Sequence, residues 1–129
     1  MDVPIQPSIE FFEGVKEELS DVRLRRDRAT GKRNILMIFE TLKSLEKFRS
    51  YTSRFAKGIL LTDEEGKISL EPSSIQFIYG GEEGEELRRV ECKVEVERDD
   101  HWERLMRFMH RYADANGMAY QDKNSDQTE

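Results

Sequence analysis

Apolar and polar positions alternate most cleanly in "LRRVECKVEVE", where Val90, Cys92, Val94 and Val96 fall on one side and Arg89, Glu91, Lys93, Glu95 and Glu97 on the other. A period of two is the mark of a half-buried strand, with one face on a core and the other on water or a partner. The same period runs less regularly through "SIEFFEGV", and again through "DVRLRRDR", where Val22 and Leu24 oppose Arg23, Arg25 and Asp27. "ATGKRN" supplies turn residues before "ILMIF", so the two strands form a hairpin. Ile35 through Phe39 are apolar on both faces, which predicts a central strand covered on both sides or at least shielded by a helix and a loop. "GILLTDEEGKISLEP" reads as two strands around an Asp-Glu-Glu-Gly turn, with Gly66 at its left-handed position. "SIQFIYG" is a further strand and "GEEGEE" a solvated turn.

Spacings of three to four residues occur twice. In "TLKSLEKFRSYTSRFAKG" they connect Leu42, Leu45, Phe48 or Arg49, Thr52 and Phe55, but Ser50 to Ser53 are poor helix formers, so a short helix followed by irregular chain is expected. In "HWERLMRFMHRYADANG" the core stripe is Trp102, Leu105, Met106, Met109, Tyr112 and Ala113, with Arg104, Arg107 and Arg111 on the other face. Asp100 and Glu103 form a capping-box pattern at its start, and Gly117 stands where a left-handed stop belongs. Glu103 with Arg107, and His110 with Asp114, are spaced to pair along the helix.

The order strands, short helix, strands, long helix predicts an α+β domain: an antiparallel sheet with a long C-terminal helix and a shorter middle helix packed on it. The 129 residues allow one such domain. Its expected limits are 9–120, after an N-terminal segment 1–8 and before a tail 121–129 that has nothing to bury. No stretch approaches the apolar length of a membrane-spanning helix, and the N-terminus has no signal-peptide pattern.

Charge narrows the function classes. A net charge of -6 disfavours general affinity for nucleic acid or anionic lipid. One cysteine precludes an intrachain disulfide, and with two histidines is too little for the usual structural zinc site. His101 and His110 are nine residues apart on one helix and do not share a face, so they read as surface or capping residues. "TGKR" lacks the upstream glycine and following hydroxyl of a phosphate loop, and "DEEG" lacks the ligand spacing of a calcium loop. No catalytic residue, metal site or cofactor is therefore expected. The strongest charge anomaly is Arg23, Arg25, Arg26, Arg28, Lys32 and Arg33, set against Asp27 alone, on one hairpin. It reads either as a docking surface for an acidic or phosphate-bearing partner or as a solvated hairpin. A nucleic-acid-binding module using residues 23–33 is the competing class, disfavoured by the net charge and by the absence of aromatics among those arginines.

Several stretches resemble a known family. "DVRL" at 21–24, "LTDEEGK" at 61–67, "FIYG" at 77–80 and above all "HWERLMRFMHRYADANG" are similar to the photosystem II Psb28 family, the reaction-centre thirteen-kilodalton or W protein. "RRDRATGKRN" is more basic, and "IYGGEEGEEL" longer and more acidic, than the family's usual pattern, which points to a divergent or second-copy member. The resemblance implies a non-catalytic, extrinsic assembly or repair factor, peripheral on the cytoplasmic (stromal) side of the thylakoid membrane. Its implied partners are photosystem II reaction-centre and inner-antenna subunits, with no nucleic acid. It also implies that partner segments extend the sheet and that docking protects an immature reaction centre. The assignment of the basic hairpin to partner contact comes from the charge pattern alone.

Overall fold

A computed structural model describes residues 5–49 and 58–118. The elements are β1 (Ser8–Glu10), β2 (Lys16–Glu17), β3 (Asp21–Arg26), β4 (Arg33–Phe39), α1 (Leu45–Arg49), β5 (Ile59–Asp63), β6 (Gly66–Leu70), β7 (Ser74–Gly80), β8 (Glu86–Val96) and α2 (Asp99–Ala115). The fold class is α+β, as the order of patterns predicts. The strands form two antiparallel four-stranded sheets rather than one: β2-β1-β5-β6, here sheet A, and β3-β4-β8-β7, sheet B. The expected irregular chain at 50–57 and the tail 121–129 lie outside the described residues.

Sheet B follows from its alternation. Val90, Cys92, Val94 and Val96 of β8 are buried, as are Ile35, Met37 and Phe39 of β4, and the register places Ile35 opposite Val94 and Met37 opposite Cys92. Leu36 and Ile38 are also shielded although they point away from that core, flanked across the strands by Arg23, Lys93, Asp21 and Glu91. In sheet A, Ile9 of β1 faces Leu61 of β5, and Ile59 and Leu61 are buried. The strand expected over "SIEFFEGV" is only Ser8–Glu10; Phe11 and Phe12 leave it, and Phe11 packs edge-on against Phe39 and Phe48. Strand β2 carries a buried carboxylate, Glu17, which accepts the Lys43 and Ser44 amides at the entrance to α1 at 2.7 and 3.0 Å.

Helix α2 closes the core against both sheets, touching β5 of one and β8 of the other. Its buried residues are Leu105, Phe108, Met109, Tyr112 and Ala113, while Trp102 and Met106 are only partly buried at the margin. Phe108, absent from the expected stripe, is fully buried. The face is rotated toward the arginine side because sheet A supplies a second wall there. The predicted cap is also displaced. The helix starts at Asp99 with extended Arg98 as N-cap and no side-chain cap bond, because the Asp100 carboxylate is held by the Arg98 guanidinium and the His101 amide. The stop is as expected: Gly117 has φ +67°, and Met118 N–H reaches back to the Ala113 carbonyl at 2.9 Å.

The Tyr112 hydroxyl ties the helix to the chain entering β3, accepting the buried Leu19 amide at 2.9 Å and donating to the Glu17 carbonyl at 3.4 Å. Tyr112→Phe leaves that amide unsatisfied inside the core, and urea unfolding is expected to show a loss of about 1–3 kcal/mol without a change of fold.

Candidate partner-binding surface

Two polar constellations stand out among the described residues, and their roles are opposite. The first joins α2 to the β5–β6 turn. Along β5 the inward positions are Ile59, Leu61 and Asp63, so alternation carries a carboxylate into a site with no solvent exposure. Arg104 grips it with two bonds, Nη1 to Oδ2 at 3.0 Å and Nη2 to Oδ1 at 2.7 Å, and Arg111 adds a third at 3.0 Å. The Glu65 amide donates to Asp63 Oδ1 at 2.9 Å, closing the turn. Glu65 itself takes both Arg107 nitrogens at 2.8 and 3.0 Å and lies 2.6 Å from Arg111. Arg107, spaced to pair with Glu103, thus makes its hydrogen bonds across to the turn.

Burial works against the charge on Asp63, but hydrogen bonds from Arg104 and Arg111 outweigh it and hold the carboxyl below its ordinary range. Hydrogen bonds from Arg107 and Arg111 bring Glu65 down to about 2. The arginine stripe is therefore matched by acids and serves to lock the turn against the helix. It brings together "LTDEEGK" and the C-terminal helix, the segments that carry the sequence resemblance. The signal that locates it in the sequence is an acid at the inward register position 63, together with arginines bordering the core face of an amphipathic helix.

The second constellation is the β3–β4 hairpin. Arg23 and Arg25 lie on the outer face of β3, across from Leu36 and Asn34. Arg26, Arg28 and Lys32 surround an exposed turn held by Asp27, whose carboxylate accepts the Ala29 and Thr30 amides at 2.8 and 3.3 Å. Arg23 meets Asp21 at only 3.7 Å with both side chains more than half exposed, a weak contact. Arg33 does not belong to this patch. Its side chain is 15% exposed, bonds to Asp99 of α2, and lies 5.2 Å from the Trp102 ring centroid. It anchors the hairpin to the helix. Beside Arg25, on the same outer face, the Asn34 Oδ1 acceptor is buried and has no donor.

Both histidines are exposed. Among the described residues, no group of three or more His, Cys, Asp or Glu side chains is placed to hold a metal ion, and no helix is long and apolar enough to cross a membrane. Strands β3 and β7 end sheet B, and β2 and β6 end sheet A, each paired on one side only among the described strands.

Two antiparallel sheets braced by one helix, with edges that are unpaired among the described strands and a basic hairpin beside one of them, define an α+β module. Residues 9–120 match the family model described as Psb28 protein, and the chain belongs to the Psb28 family. The "Photosystem II reaction center Psb28 protein" of Guillardia theta is 31% identical over 118 residues, covering 91% of this chain and 97% of that one. The proteins of the same name from Synechococcus sp. (strain CC9902) and Pyropia yezoensis are 33% and 32% identical, covering 95% and 92% of this chain and 88% and 98% of theirs.

The lock yields two predictions. Asp63→Ala removes the bidentate partner of Arg104 and one of the acids on Arg111, leaving both to Glu65, and is expected to cost about 3 kcal/mol in urea unfolding. Because the Glu65 pKa is lowered on folding, its contribution is complete above its ordinary value of 4.5 and is lost as pH falls toward about 2. A circular-dichroism acid titration should show this loss, and Glu65→Gln should flatten that part of the stability profile.

Proposed function

We propose that this chain is a non-catalytic extrinsic factor that binds photosystem II assembly intermediates transiently, on the cytoplasmic (stromal) side of the thylakoid membrane. In this reading it contacts reaction-centre and inner-antenna subunits and shields an immature centre. The observation that carries the reading is the family match over 9–120, with relatives named as photosystem II reaction center proteins.

The structure supports a mode of contact. An added strand at an unpaired edge gains main-chain hydrogen bonds, and alternate side chains supply specificity. The β3 edge suits an acidic partner segment, because Arg23 and Arg25 project from one face of that strand at two-residue spacing. A strand laid beside β3 places its own alternate residues next to these arginines. Charge of this kind acts mainly on encounter rate and register, while the main-chain ladder holds the complex. Arg33 keeps the strand base fixed to α2, so the partner meets a preformed edge.

Affinity purification of the tagged chain from detergent-solubilised thylakoids is expected to recover reaction-centre and inner-antenna subunits. Recovery of none overturns the proposal. Arg23→Glu with Arg25→Glu should lower recovery at least several-fold at low salt; unchanged recovery there removes β3 as the contact.

A further inference from the structure

Sheet B carries its two charged turns at opposite ends. The β3–β4 turn lies between Arg26 and Arg33, and Arg33 pairs with Val96 at the end of β8. The β7–β8 turn joins Gly80 to Glu86, where β8 begins. At about 3.3 Å per residue, β8 separates the two by roughly 30 Å. The first turn exposes Arg26, Arg28 and Lys32, with Asp27 turned to its own backbone amides. The second exposes Glu82, Glu83, Glu85 and Glu86.

We propose that the β3–β4 tip adsorbs on an anionic lipid surface, with the acidic β7–β8 turn held away from it. The net charge of -6 does not forbid this, because a bilayer's potential decays over about 10 Å at 0.1 M salt. Cations at the tip lie within that range; Glu95 and Glu97 stand at the base of the hairpin, beside Asn34 and past Val96, and the acids at the far end of β8 lie beyond it. The reverse approach brings Glu82, Glu83 and Glu85 to the surface, with Glu86 paired to Arg88, and is repelled, so adsorption has one orientation.

The tip chemistry favours lipid over a protein pocket. Between Arg28 and Lys32 the residues are Ala29, Thr30 and Gly31, all exposed, with no aromatic or large apolar side chain to anchor a protein interface. Long cationic side chains on a convex turn suit a diffuse array of headgroups, where each contributes roughly a five-fold gain in binding. Contact is electrostatic without insertion, and therefore sensitive to salt. Arg23 and Arg25 remain on the face of β3, so the tip and the strand can engage different partners together.

The test is co-sedimentation of the full chain with vesicles of phosphatidylcholine, with and without about one third phosphatidylglycerol. Binding is expected to the anionic vesicles only, and to disappear between roughly 0.05 and 0.3 M salt. Arg26→Glu, Arg28→Glu and Lys32→Glu together should weaken it at least a hundred-fold, and glutamine at the same positions should weaken it less, with unchanged circular dichroism throughout. Orientation is read with a fluorophore on Ala29→Cys or Glu83→Cys, since Cys92 is buried. Quencher lipids should dim the first label and spare the second. Absence of binding at low salt, equal binding to neutral vesicles, or equal quenching of both labels overturns the proposal. A chain that ignores vesicles yet still recovers photosystem subunits overturns the lipid contact and leaves the partner reading standing.

Discussion

The Asp63 carboxylate sits where no water reaches it, and an isolated charge there costs too much to keep. Its charge is met by Arg104 and Arg111 on α2, beside the Glu65 amide of its own turn. Only one rotation of the helix brings both guanidinium groups to that point. The same rotation turns Leu105, Phe108 and Met109 onto the core and sets Tyr112 under Leu19 and Glu17. Buried ion pairs are a poor source of net stability, since desolvation consumes most of their attraction. What this one supplies is position. Because α2 also packs on β8, the pairing that orients the helix on sheet A orients sheet A on sheet B.

Much of this was legible in residue order, and the exceptions share a cause. The β3–β4 hairpin, the alternation of β8, the turn at Asp63–Gly66 and the stop at Gly117 rest on contacts close in sequence or on a strict period, and they appear where the pattern puts them. The two-sheet arrangement depends on β1 choosing β5, some fifty residues away, and alternation does not name a partner. The same holds for Arg104 and Arg111, whose acids lie on another element, and for Asp99, which takes Arg33 instead of leaving the helix start to Asp100. Phe108 lies outside the expected stripe because such a stripe assumes one wall, and the molecule gives the helix two. The basic hairpin was visible as composition; that Arg33 is an anchor within it was not, since nothing local distinguishes it from Arg26.

Electrostatics therefore divides into two kinds that look alike in the sequence. Arginines on α2 are matched to acids and set the geometry of the fold. Most of those on the β3–β4 hairpin remain on the surface, where complementarity governs approach and selectivity. The division explains how a chain with an acidic balance keeps a basic feature: the tip that carries Arg26, Arg28 and Lys32 stands about one strand length from the acidic β7–β8 turn, beyond the reach of screened attraction. The rigidity of β8, paired along both sides, maintains that separation.

The only thiol of the chain points inward from the middle of β8, between Met37 of β4 and Ile75 of β7, with no exposure to solvent. Burial pushes its pKa up to about 12, so the reactive thiolate form is suppressed as well as hidden. Oxidants or disulfides in the surroundings have no sulfhydryl to act on while the sheet is intact. Thiol chemistry on this chain is accordingly closed off for as long as sheet B stays folded.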